Sequence, residues 1–475
     1  MNKIKSAFIN MSWLMASQII TSILAFIWTI MIARYLGVSD YGIFGFAVSL
    51  SGMFAILGEV GISNHIVRSI STNNNQAACY LGNAIPLKIG LSGLYFIIIF
   101  IVLLLMGQSE LVVYITLLYC VETTFKSFTT LFNGAVQAYE KQKYMAFSNI
   151  LLALLSFVLI LIAIHFNAGL NGITWAYVLA NMVTLIYTLL VLLRYITIPK
   201  IQFNFGIWKK LLMWGFPFAL TSIFYTIYYS IDIVMLTQMV GDFATGIYNA
   251  TYKLINVLTL FYTIYTAVFF PIMSKQYKKG GSLLTLSFEK STKFLSMITI
   301  PIAVACLFYS NDVIHFIYGH QYDQAGVVLQ ILIWTVCFLF INGAASTALN
   351  ASHKEYSVTK IYLVAAIFNV ILNLFLIPKY SYIGASISTV LSEVLILILA
   401  LITLNKVGIR PSKSLVVHVG KIILSSAILG IILYFLHLNM WIAIPVSIVI
   451  YLLLLIAMKT FDDDDKYVVK QIIGK

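Results

Sequence analysis

The sequence predicts an all-α polytopic membrane protein with 14 transmembrane helices, arranged as two six-helix lobes followed by two extra C-terminal helices. Three observations predict this. Of 475 residues, 61% are apolar and only 9% charged, against about 25% charged in an ordinary soluble chain, so no soluble surface of this size could be solvated. Apolar segments recur at about the 20-residue length that a helix needs to cross a bilayer. Read against those segments, the basic residues fall almost wholly on one side.

In chain order the expected spans are 11–33, 43–66, 85–106, 111–134, 146–166, 170–193, 211–236, 247–271, 293–310, 326–349, 358–377, 382–404, 415–436 and 440–458. The first follows Lys3 and Lys5. It is too long for a signal-peptide core and has no small-x-small cleavage site, so it reads as an uncleaved span. An even number of spans puts both ends on one side, and with the N-terminus inside, 25 of 29 Lys and Arg are cytoplasmic, Lys88 included. Arg34 and Lys379 fall outside, and Lys126 and Lys253 fall within spans. Of the net charge of +13, +18 lies inside, −3 outside and −2 within the spans. Most of the basicity is therefore orientation and does not indicate nucleic acid. The chain divides into an N-lobe (1–200, spans 1–6), a C-lobe (201–410, spans 7–12), spans 13–14 (411–460) and a cytoplasmic tail (461–475).

The longest outer connection, Ser310 to Ala325, has about 16 residues and leaves no room for an extracytoplasmic catalytic domain. The tail run Asp462 to Asp465 reads as a solvated end. Cys79, Cys120, Cys306 and Cys337 form no disulfide framework and read as packing residues. The seven histidines lie at or near span ends and form no pair with metal-ligand spacing, so no metal is expected. No catalytic triad is present, and no phosphate-binding loop, so energy has to come from an ion gradient, the membrane potential or substrate removal.

The chain also resembles itself. Gly37-Val-Ser-Asp-Tyr-Gly42 lies over Gly241-Asp-Phe-Ala-Thr-Gly246 at an offset of 204, Gly134 to Ala138 over Thr347 to Ala351 at 213, and Gly172 over Gly384 at 212. Spans 1–6 and 7–12 thus read as two copies of one unit in the same orientation, a build that places substrate between halves. The four glycines Gly37, Gly42, Gly241 and Gly246 read as two equivalent tight turns.

Ionisable groups inside a bilayer are costly and face a bundle interior or a wet cavity. Those within spans are Glu59, Glu122, Lys126, Asp232, Lys253 and Glu393, with Arg34 and Arg68 at span ends. Asn249, Tyr252, Lys253, Asn256, Thr259, Thr263 and Thr266 form one polar stripe on span 8. Tyr225 and Tyr229 join Asp232 on span 7. Such a tyrosine-rich lining suits sugar rings. Glu122 and Lys126, four apart, are placed to pair with each other or to meet a ligand. Asp232 and Lys253 can pair across the 237–246 turn, and for Glu393 a proton relay competes with a hydrogen bond to backbone.

Ile32-Ala-Arg-Tyr-Leu-Gly-Val-Ser-Asp-Tyr-Gly42, Gly58-Glu-Val-Gly-Ile-Ser-Asn-His-Ile-Val-Arg68, Asp232-Ile-Val-Met-Leu236 and Pro378-Lys-Tyr-Ser-Tyr-Ile-Gly-Ala385 together resemble bacterial polysaccharide flippases of the Wzx type. These share a superfamily, the multidrug/oligosaccharidyl-lipid/polysaccharide (MOP) exporters, with MATE-type antiporters and lipid II flippases. The resemblance implies a MATE-like V of two lobes around a cationic cavity in the bacterial plasma membrane. It implies a cargo of undecaprenyl pyrophosphate bearing an O-antigen or capsule repeat unit. Its pyrophosphate would be attracted by Arg34, Arg68, Lys126 and Lys253, and its sugars would be met by Tyr225, Tyr229, Tyr252, Asn249 and Asn256. Coupling to H+ or Na+ would run through Glu59, Asp232, Glu393 or Glu122, with no cofactor, and the implied partners are membrane lipids, a polysaccharide polymerase and a chain-length regulator. Two rivals are a small-molecule or cation antiporter, which favours an acidic or apolar cavity, and a membrane oligosaccharide polymerase, which needs a large outer loop.

Overall fold

The computed structural model describes residues 3–279 and 281–462. Among them there is no strand. Thirteen α-helices follow one another: α1 (Lys3–Glu59), α2 (Ile62–Thr72), α3 (Ala77–Leu105), α4 (Glu110–Ala138), α5 (Gln142–His165), α6 (Gly169–Tyr195), α7 (Phe205–Met239), α8 (Asp242–Lys279), α9 (Gly281–Tyr318), α10 (Ala325–Ala351), α11 (Glu355–Lys406), α12 (Lys413–Leu436) and α13 (Met440–Ala457). Ten of them, α1, α3–α6 and α9–α13, are long and apolar enough to cross a membrane. The protein is a multi-pass membrane protein.

Local chemistry sets the breaks. α1 bends at Gly37, whose φ of 75° and ψ of 176° lie outside the helical region, and α11 bends at Ser381 (φ 53°, ψ −134°), so each comprises two arms. These are the places where the hydropathy reading separates spans 1 from 2 and 11 from 12. Ser109, Asn204, Ser412 and Asn439 accept backbone N–H groups and so cap the N-termini of α4, α7, α12 and α13.

Span 2 ends earlier than its hydropathy suggests. Val60 (φ 41°) and Gly61 (φ 68°) stop α1 after Glu59, and α2 restarts as a short amphipathic helix. Its Ile62, Ile66 and Ile70, one turn apart, are buried against Leu81, Ala84, Leu131, Phe132 and Ala135.

The molecule forms two compact units, Met1–Asn249 and Ala250–Lys475, and the boundary falls inside α8. In the first, α7 packs on α1, α2 and α3, joined by a connection that lies along α3. Pro86 has no N–H, so the Gly82 carbonyl has no donor from that residue in the helix and accepts from Gln202 N (3.1 Å). Lys200 N donates to Ala78 O (3.0 Å). Asn83 accepts Asn204 N on its side chain (2.9 Å) and Trp208 Nε1 on its carbonyl (3.0 Å).

In the second unit α10 packs between α9 and α11, and α12 and α13 pack on α9. The outer faces of α12 and α13 expose Val416, Ile423, Ile431, Ile444, Ile448 and Leu452, as expected of surfaces turned to lipid. The first tail aspartate departs from its expected solvated state: Asp462 accepts from Lys290 Nζ at 2.6 and 2.7 Å and from Lys293 Nζ at 3.2 Å. Lys293 is buried, and a carboxylate within reach is the cheapest way to keep an ammonium there. Asp463, Asp464 and Asp465 lie outside the described residues.

Candidate functional site

The repeat motif is a helix crossing as well as a turn. Gly37 and Gly241 have positive φ (75° and 118°) and make the turns. Gly42 and Gly246 are helical and do something else. A β-carbon on Gly42 would overlap the carbonyl oxygen of Asp242, and one on Gly246 would overlap that of Val38. Val38 and Asp242 are themselves 204 residues apart, so the two contacts are the same contact seen from each copy. One turn further along, Gly45 meets its own repeat counterpart, Asn249, whose Nδ2 would lie 2.5 Å from a β-carbon at 45. The second arm of α1 and the start of α8 thus cross about a local pseudo-two-fold, at backbone contact. The turn reading holds for Gly37 and Gly241 and is corrected for Gly42 and Gly246.

The acids are all engaged. Glu59 forms an ion pair with Lys88 of α3, accepts Ser127 Oγ of α4 at 2.9 Å and accepts Ser63 N at 3.0 Å, which also caps α2 with negative charge. Lys88 is fully buried, donates to Ser127 O at 3.1 Å and lies 5.8 Å from the Phe128 ring centroid. Lys88 was read as a cytoplasmic charge, and the structure corrects this: it is an interior ion-pair partner. Its position 29 residues from Glu59 carries no local signal. The clue was a Lys inside span 3 opposite a Glu inside span 2.

Glu122 is buried and does not reach Lys126. Its Oε1 accepts Asn181 Nδ2 of α6 at 2.9 Å and its Oε2 accepts Thr123 Oγ1 at 3.2 Å, while Lys126 is exposed. An amide donor from a facing helix is closer in the dry interior than an ammonium that can reach water. Trp28, Phe44, Tyr119 and Tyr177 form an aromatic cluster in the same unit, with centroids 5.6–6.5 Å apart. Asp232, also buried, accepts Tyr248 Oη at 2.7 Å.

In the second unit Glu393 has a partner that sequence reasoning missed. Asn342 Nδ2 of α10 donates to Glu393 Oε2 at 2.7 Å and to Glu393 O at 3.0 Å. Asn181 and Glu393 are 212 residues apart, the offset of Gly172 and Gly384. Each copy therefore ties the last helix of its repeat to the fourth by one acid–amide bond, with acid and amide exchanged between copies.

The remaining candidates divide by burial. Asn249 and Tyr252 are buried, Tyr229, Lys253 and Asn256 are half-buried, and Arg34 and Arg68 are exposed like Lys126. Tyr229 packs edge-on to Tyr228 at 5.2 Å. The side chain of Tyr225 lies outside the described residues.

Known proteins place this architecture. The family model for polysaccharide biosynthesis proteins matches residues 8–276, and the MatE model matches 217–375. The capsular polysaccharide biosynthesis protein CapF of Staphylococcus aureus is 24% identical over 400 residues, covering 82% of this chain and 97% of that protein. Agl15 of Haloferax volcanii, a probable low-salt glycan biosynthesis flippase, is 24% identical over 367 residues, or 76% of this chain and 75% of that protein. The structure of the lipid II flippase MurJ superposes with a TM-score of 0.79 at 15% identity, over 97% of this chain and 99% of that one. With its family model matching more than half of its length and a MurJ-like fold throughout, the chain belongs to the polysaccharide biosynthesis protein family of the MOP superfamily.

Proposed function

We propose that this protein flips a polyprenyl-diphosphate-linked oligosaccharide, of the undecaprenyl pyrophosphate type, from the cytoplasmic to the outer leaflet of the plasma membrane by alternating access. It acts as a transporter with no covalent chemistry, with 14 spans, both termini cytoplasmic, and repeats 1–200 and 201–410 as the moving halves. The observation that carries this reading is Lys126, exposed near the midpoint of α4. A cation at mid-bilayer depth costs roughly 2.5–3.5 kcal/mol in hydrocarbon, so an exposed one faces water, where it can meet a diphosphate. Arg34 and Arg68 are exposed too, whereas Glu59, Glu122, Asp232 and Glu393 all accept hydrogen bonds. That division supports an anionic cargo over the cationic one of an antiporter.

Lys126→Glu, at matched protein level, is expected to lower surface polysaccharide about tenfold or more, since a hydrogen bond to a charged group contributes roughly 1.5–3 kcal/mol. Lys126→Arg should retain most of it, and Arg34→Ala should fall between. Normal polymer in Lys126→Glu would remove this residue from the cargo path. In liposomes, loss of gradient dependence in Glu122→Gln or Glu393→Gln would identify the coupling acid.

A further inference from the structure

The connection from α9 to α10 brings together three metal-ligating side chains. His315 sits in the last turn of α9, His320 opens a single 3-10 turn (His320–Tyr322), and Asp323 follows it. His315 Nδ1 lies 3.6 Å from Asp323 Oδ1, and His320 Nδ1 lies 3.4 Å from Asp323 Oδ2. The imidazole centroids are 3.6 Å apart, with their planes inclined at 66°. One ligand atom from each residue falls within 4.8 Å of the other two.

These spacings are long for hydrogen bonds. They match donors sharing one ion: at zinc bond lengths of about 2.0–2.1 Å, neighbouring corners of a tetrahedron stand roughly 3.4 Å apart. The backbone beneath is held in place. Tyr318 and Tyr322, on either side of His320, are buried with ring centroids 5.2 Å apart, and Tyr318 Oη donates to Ala250 O at 2.9 Å. Gly319, at φ 84°, makes the reversal between the histidines. Its N–H donates to His315 O (2.9 Å), Asp323 N donates to His320 O (3.2 Å) and Gly326 N donates to Asp323 O (3.1 Å). The ligands therefore lose little backbone entropy on binding. A five-residue spacing matches no helical or zinc-finger period, which is why the sequence shows no pair here.

We propose that His315, His320 and Asp323 bind one divalent transition-metal ion of the zinc class, with water completing the tetrahedron. Two imidazoles and one carboxylate select zinc, nickel, copper or cobalt over calcium and magnesium, which prefer oxygen ligands. The ion clamps the end of α9 to the start of α10. On the topology proposed above it lies on the outer face, away from the diphosphate-binding cations.

The test uses the full chain purified in detergent with a tag free of histidine, stripped with chelator and titrated with zinc(II) by calorimetry and with cobalt(II) by visible absorption. One equivalent per chain is expected, with a tetrahedral cobalt spectrum and a zinc-dependent rise in melting temperature. His320→Ala, His315→Ala and Asp323→Asn should each weaken binding at least tenfold and abolish the thermal shift. Their metal-free melting temperatures should be unchanged, because all three side chains are exposed. His418→Ala and His437→Ala should bind like the parent. Absence of stoichiometric uptake by the parent chain, or full uptake by a His315→Ala/His320→Ala double variant, overturns the site.

Discussion

Glu59→Leu is expected to destabilise the protein by about 3–5 kcal/mol, the cost of leaving one member of a buried ion pair uncompensated. Removing the carboxylate leaves the fully buried Lys88 ammonium with one acceptor, Ser127 O. Lys88→Met should cost less, because Glu59 is partly exposed and keeps two donors, Ser127 Oγ and Ser63 N. The double variant Lys88→Met/Glu59→Leu should recover much of the loss, since apolar residues of similar volume replace a buried pair at little cost. Thermal unfolding of the four proteins in one detergent closes the cycle. Additive losses would show that the two side chains do not depend on each other.

The second large effect is expected at the repeat crossing. Gly42→Val and Gly246→Val each place a branched side chain against a backbone carbonyl, that of Asp242 or Val38, and a carbonyl on a packed helix cannot rotate away as a side chain can. Overpacking costs about 1–3 kcal/mol and occasionally more. Both variants should sit at or above the top of that range, and transport should fall further than stability because the crossing joins equivalent segments of the two repeats. Gly52→Ala is the control on the same arm of α1. Nothing lies within 4 Å of a β-carbon there, so it should stabilise the helix by about 0.5–1 kcal/mol. Melting temperatures and polymer levels decide it: equal behaviour at positions 42 and 52 would sink the assignment of the crossing.

The helices, their approximate ends and their repetition are written locally. A 20-residue apolar run, a glycine at a bend or a Ser or Asn cap acts within a few residues, so the spans drawn from hydropathy match helices that begin and end within a few positions of them. The early stop of span 2 at Glu59 is an instructive exception. Val60 and Gly61 break the helix although the residues beyond stay apolar at every fourth position, and hydropathy averages over such a break.

Partnership is different. Glu122 had a lysine one turn away, yet its bonds go to Thr123 and to Asn181, 59 residues on. Glu393 found Asn342, and Glu59 found Lys88. His315 and His320 met across a glycine reversal that no periodicity describes. In each case the competing partners were all present in the sequence. Which one wins depends on which helix faces lie against each other and which side chains can still reach water, and both are properties of the packed chain. Composition and period alone therefore determined that this is a repeated, all-α membrane protein oriented by its basic residues. Only the tertiary structure decided which charges are neutralised inside it and which remain exposed for an anionic cargo, because desolvation, the cost that forces a buried charge to find a partner, exists only once the helices have packed.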